Sequence, residues 1–168
     1  DPEDVVRVQG PWTHRDIAAN GSRFHVAEMG SGPLVLLLHG FPMFWWTWRH
    51  ALPVLAEAGF RAAAMDLRGY AGSDHPPRGY DPFTLSADVS GVIRSLGARD
   101  AVIVGHGWGG FLAWTTAVTH PEAVRAIAPI SMAHPRRLRT CLTRDSAQRR
   151  ASAYAFGFQA PTSPERDL

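Results

Sequence analysis

Gly105-His106-Gly107-Trp108-Gly109-Gly110 lies between an apolar, strand-like run at 101–104 and a helix-like segment at 108–119. In a G-x-S-x-G turn joining a strand to a helix, the central residue is held in a strained backbone that lifts its side chain clear of the sheet. Small flanking residues let strand and helix approach. Such a turn supports nucleophilic attack on an electrophilic carbon. Here the central position is Gly107, which offers no nucleophilic atom. A glycine-rich turn without function is the alternative for this hexapeptide taken alone. His39-Gly40-Phe41-Pro42 follows a second apolar run at 34–38. In this arrangement a backbone N–H after the earlier strand combines with the N–H of the residue after the nucleophile to form an oxyanion hole. The donors are then the amides of Phe41 and Trp108. Asp66 opens a loop, 66–74, after a further strand; it reads as a charge-paired or turn-forming carboxylate in preference to a catalytic one.

The elements that must position these residues follow from periodicity. Segments 13–18 and 22–29 flank Asn20-Gly21, which supplies the positive φ angles of a type I′ turn, and predict an antiparallel hairpin. Residues 34–38 form a continuous apolar run, the signature of a strand buried on both faces. Beyond it, helical stretches at 46–58, 83–96 and 108–119 alternate with strands at 60–65, 101–104 and 124–130. That alternation predicts a doubly wound, mostly parallel α/β sheet with right-handed crossovers. After Ser131 the sequence turns polar and basic, with one helix expected over 136–156. We divide the chain into a core at 1–135 and the start of a second, helical layer at 136–168.

Composition narrows the function classes. The 168 residues are 45% hydrophobic and 19% charged, which is a globular balance. Net charge is +2, and the arginine-rich stretch 136–150 lacks the aromatic interleaving of a nucleic-acid surface, so it reads as a solvated helix face. The single cysteine, Cys141, suits a reducing compartment. With no membrane-length apolar run and no signal pattern at the front, a cytoplasmic protein is expected. The scattered histidines form no metal cluster and the glycines lack the Lys-Ser/Thr pair of a phosphate loop, so neither metal nor cofactor is expected.

HGFPMFWWTWRH at 39–50, MDLRGYAGSDHPPRGYD at 65–81, GHGWGG at 105–110 and SMAHPRRLR at 131–139 together resemble the epoxide hydrolase branch of the α/β hydrolases, over nearly the whole chain. The related haloalkane dehalogenases share the Trp matched by Trp108 but usually carry Asn in place of Phe41. The resemblance implies the N-terminal portion of the α/β-hydrolase fold, with the start of a helical cap. It further implies an elbow Asp that attacks the epoxide carbon and forms an ester, which a histidine activated by an acid then hydrolyses. Cap tyrosines donate to the epoxide oxygen, and the Tyr-x-x-x-Phe-Gln segment places one of them on Tyr154, with lid packing as the alternative role. His39, Pro42, Trp45 and Trp46 are the expected substrate-contacting residues, joined in a hydrophobic pocket by Phe41 and Trp108.

Two departures limit that reading. Position 107 is Gly where the branch has Asp, so covalent catalysis through the elbow is expected to be absent. None of the eight histidines stands after the cap, where the family's base lies; His134 reads as structural. The strand at 124–130 is apolar enough to expect a further neighbour. The rest of the sheet is therefore expected from elsewhere, as a second chain, an exchanged partner in a homo-oligomer, or residues following Leu168. The functional expectation is an epoxide hydrolase-like protein for a small apolar substrate, inactive at its nucleophile position. The alternatives are a non-catalytic binding module that keeps the pocket, and haloalkane or ester hydrolysis by a noncovalent route.

Overall fold

A computed structural model of the chain describes residues 5–153 and divides it into two compact units, 1–132 and 133–168. In the first, β1 (Thr13–Ala19) and β2 (Ser22–Met29) form the hairpin over Asn20-Gly21, whose φ angles are +45° and +71°. β3 (Leu34–Leu38), a 3-10 turn (Trp45–Trp48), α1 (Ala51–Glu57) and β4 (Arg61–Met65) follow. Then come α2 (Pro82–Ser95), β5 (Ala101–His106), α3 (Trp108–Thr119) and β6 (Val124–Ile130).

The sheet order is β1-β2-β4-β3-β5-β6, with β4, β3, β5 and β6 parallel to their neighbours and the hairpin running antiparallel into β4. The chain leaves β3 for β4 on one side, then returns past β3 to β5 and continues outward to β6. Connections therefore diverge between β3 and β5, and in open α/β sheets ligands bind outside the carboxyl ends of the strands at that point. Residues 39–43 and 105–110 both sit there.

β3 shows why the run at 34–38 is apolar throughout. Leu34, Leu36 and Leu38 pack on one face with Met65, Val89, Ile103 and Leu112, while Val35 and Leu37 pack on the other with Trp45, Leu52 and Ala64. Each such side chain gains about 1.5–3 kcal/mol over remaining exposed. Asp81 starts α2 by accepting from the Phe83 and Thr84 amides, and Gly97, at φ +80°, ends it.

Three expectations are corrected. Segment 46–58 is not one helix: Pro53 would set its ring against the carbonyl four residues earlier, so the α-helix begins only at Ala51. The helix expected over 136–156 is split into α4 (Pro135–Arg144) and α5 (Ser146–Ala151). Asp145 is extended, at φ −115° and ψ 113°, and its carboxylate caps the Ala147 and Gln148 amides instead of continuing the helix. Its expected end at Phe156 lies outside the described residues. β5 runs on to His106, because its pairing with β6 continues to His106 opposite Ile130.

Among the described residues β6 pairs with β5 alone, and Ile130 at its end is 44% exposed. In the second unit, α4 and α5 bury no residue, and the arginines at 136, 137, 139, 144, 149 and 150 are exposed. Among the described residues no helix is long and apolar enough to cross a membrane.

Candidate active site

Gly107 has φ +52° and ψ −115°, a backbone that residues with side chains occupy only under strain. Its N–H donates to the Ile130 carbonyl at 2.9 Å and its carbonyl accepts from the Phe111 amide at 3.0 Å, so the end of β6 and the start of α3 both hold the bend. A Cβ placed at 107 would meet nothing closer than the Gly40 Cα at 3.9 Å. Backbone conformation, not lack of space, is thus what a side chain here must overcome. The flanking glycines are needed for the opposite reason. A Cβ at Gly105 would lie 2.2 Å from the Gly109 carbonyl oxygen, and one at Gly109 would lie 2.3 Å from the Leu38 carbonyl oxygen.

The loop after β3 closes against this bend. A Cβ at Gly40 would come within 2.9 Å of the His106 carbonyl oxygen. The Met43 amide donates to the Gly40 carbonyl at 2.8 Å around a cis Phe41-Pro42 bond, the form of a type VI turn. Trp108 is the first residue of α3, so its N–H has no acceptor within the helix. Its ring stacks on Phe111 at 5.0 Å. Phe41, Pro42, Met43 and Trp108 are all exposed, so an apolar rim borders the bend.

The remaining expected contact residues divide. Trp45 is fully buried against Trp12 and Trp46, with its indole N–H donating to the Val6 carbonyl at 2.7 Å, so it is a core residue and not a pocket wall. Trp46 is half-buried in the same cluster, 5.6 Å from Trp12, with the Arg49 guanidinium 5.1 Å over its ring. Both side chains turn into the layer that α1 covers, because the 3-10 turn carries them onto that face. His39 is also fully buried; its Nε2 accepts from the Leu67 amide at 3.0 Å and its Nδ1 donates to the Gly40 carbonyl at 3.0 Å. His134 accepts from the Arg136 amide and caps α4. Tyr154 lies outside the described residues.

Asp66 is the structural carboxylate the sequence suggests. It is fully buried and accepts from Trp45 N at 2.7 Å, Gly72 N at 3.2 Å and the His25 ring at 2.7 Å. Sequence reading missed His14 and His25, which the hairpin register makes diagonal neighbours on one face: Asp16 stands opposite His25 and His14 opposite Ala27. Arg68, paired through two nitrogens with buried Asp88, was likewise missed.

Burial holds His39 below its ordinary pKa of 6.5, outweighing the Gly40 hydrogen bond and the Asp66 charge that push it up. The unfolded chain therefore binds more protons than the folded one at acid pH, and the stability from a neutral His39 is present above about 6.5 and lost as pH falls below it. Denaturant titrations are expected to show stability dropping on that acid side, with a shallower drop in His39→Gln. A slope unchanged by the substitution contradicts this assignment.

A model of the family described as alpha/beta hydrolase fold matches residues 33–159. The chain belongs to the α/β-hydrolase-fold family. Within it, the chain is epoxide hydrolase-like. It is 47% identical over 113 residues to bifunctional epoxide hydrolase 2 of Sus scrofa, covering 66% of this chain and 20% of that protein. It is 40% identical over 157 residues to the AB hydrolase superfamily protein YfhM of Bacillus subtilis (strain 168), covering 90% and 54%. The solved structure of an epoxide hydrolase from an endophytic Streptomyces superposes with a TM-score of 0.74 at 38% identity, over 82% of this chain and 44% of that one. The chain thus spans from a fifth to about half the length of these relatives.

Proposed function

We propose that this chain is the elbow-bearing half of an epoxide hydrolase-type enzyme for small apolar epoxides, and that glycine at 107 removes the atom that begins covalent catalysis. One observation carries the reading: residue 107 keeps the strained backbone of a nucleophile position, with open space ahead of it, while bearing no side chain. An aspartate there would attack an epoxide carbon with one carboxylate oxygen. The ring C–O bond breaks, and its oxygen takes a proton from a cap hydroxyl, for which Tyr154 is the candidate. The amides of Phe41 and Trp108 are the candidate donors for the oxyanion formed as water then cleaves the ester. The base and its acid partner come, in this proposal, from the part of the fold outside the span of this chain, contributed by further residues or by a second polypeptide. The outer edge of β6, which no strand among the described residues pairs, supports that assembly, since an unpaired parallel edge invites pairing.

Size-exclusion chromatography with intact-mass measurement checks it: the functional form is expected to contain more polypeptide than 18.4 kDa. A stably folded 18.4 kDa monomer with no companion overturns the assembly. Substituting Gly107→Asp is expected to cost about 1 kcal/mol or more in stability from backbone strain, read by thermal melts; an unchanged melt contradicts the strain.

The apolar rim of Phe41, Met43 and Trp108 favours a second reading, a binding module that holds a small apolar ligand without turning it over. Turnover of epoxide, haloalkane or ester substrates by the unsubstituted assembled protein sinks that reading.

A further inference from the structure

A line of polar contacts runs from the N-terminal segment into the core beside the 39–45 loop. The Val8 carbonyl meets His14 Nε2 at 3.0 Å, His14 Nδ1 meets His25 Nε2 at 2.9 Å, and His25 Nδ1 meets Asp66 Oδ2 at 2.7 Å. His25 and Asp66 are fully buried, and the two imidazoles stack at 5.1 Å. Each contact of this length needs one hydrogen between its atoms. The Val8 carbonyl only accepts, so His14 Nε2 carries the first. Asp66 already accepts from two backbone amides, the donor set of an ionised carboxylate, so His25 Nδ1 carries the second. The third lies between the rings. Two neutral imidazoles bring only two N–H groups. Three are required, and the third makes one imidazolium that balances the single charge of Asp66.

We infer that His14 and His25 share one buried positive charge and act, through Asp66, as positioning residues for the loop that bears the Phe41 amide. Asp66 and Leu67 clamp that loop at both ends, since Asp66 Oδ1 holds the Trp45 amide and the Leu67 amide holds His39 Nε2. The other charged or titratable groups that bear on the line are Arg7, itself paired with Asp16 at 2.7 Å, and His39 beyond Asp66. Acid breaks the line at a defined point. A fourth proton sets N–H against N–H at the 2.9 Å contact between the rings. This inference goes beyond the proposed activity and holds whether or not the elbow turns over substrate.

Nitrogen-15 NMR of the complete chain at pH 7 tests it. Three exchange-protected ring N–H signals are expected from His14 and His25 together. Lowering the pH is expected to move the Trp45, Leu67 and Phe41 amides with the same midpoint as the His14 ring nitrogens. Rigid packing without a shared proton would give two ring N–H signals, or loop amides that stay fixed while the rings titrate, and either result overturns the inference. His14→Phe adds a second check, because a single protected ring N–H signal, that of His25 Nδ1 facing Asp66, should then remain. If that variant does not fold, the native titration alone decides.

Discussion

Gly107→Asp in the assembled protein is expected to raise epoxide turnover on the order of a million-fold over the unsubstituted form, the scale on which removing a nucleophile lowers kcat in comparable constellations. The glycine at 107 leaves intact what normally surrounds a nucleophile. The bend is tied to β6 through the Ile130 carbonyl, the 40–43 turn abuts it, and Trp108 starts the helix behind it. At the bend itself, residue 107 bears no side chain. Steady-state assays with a small apolar epoxide check this. Comparable turnover by both forms means that chemistry does not pass through position 107. Absence of turnover in both, with the variant folded, means that more than the nucleophile has been lost and favours the binding module.

The second large effect concerns packing. Gly109→Ala is expected to destabilise the fold by about 3 kcal/mol, at the upper end for overpacking. The added methyl carbon would lie 2.3 Å from the Leu38 carbonyl oxygen and 2.6 Å from that of His39, and backbone atoms cannot rotate aside as a flexible side chain can. Gly21→Ala is the control: its Cβ meets nothing within 4 Å, and only its φ of +71° opposes the change, a cost of about 1 kcal/mol. Chemical denaturation of the two variants should separate them by about 2 kcal/mol. Equal stabilities would show that α3 can slide off β3 and that the glycine at 109 is not a packing requirement.

How far the sequence reveals this molecule depends on whether the deciding force is local. α3 and β6 stand at the residues expected, since a glycine-rich bend and Pro121 bracket one and an apolar run defines the other. The hairpin follows from Asn20-Gly21 for the same reason. Asp145 was harder to see, because a carboxylate that caps a new helix looks in sequence like any charged residue on a helix face. Pro53 was legible in principle, its ring being incompatible with the carbonyl four residues earlier.

At the site, Gly107 and its flanking glycines were readable because close backbone approach leaves a mark in residue type. Trp45 and Trp46 were not. Aromatic side chains suit a pocket wall and a core equally well, and only the path of the 3-10 turn sends them beneath α1. The His14–His25–Asp66 line was invisible for a related reason: its members lie on three strands or strand ends, and hairpin register with a β2–β4 pairing is needed to bring them together.

The most direct test is peptide-level mass spectrometry of the assembled protein after brief exposure to a small epoxide and acid quenching. The peptide containing residue 107 should keep its unmodified mass in the native sequence. In the Gly107→Asp form it should gain the full mass of the epoxide, as the ester of the new carboxylate. A covalent adduct anywhere on residues 105–110 of the native protein would contradict the account.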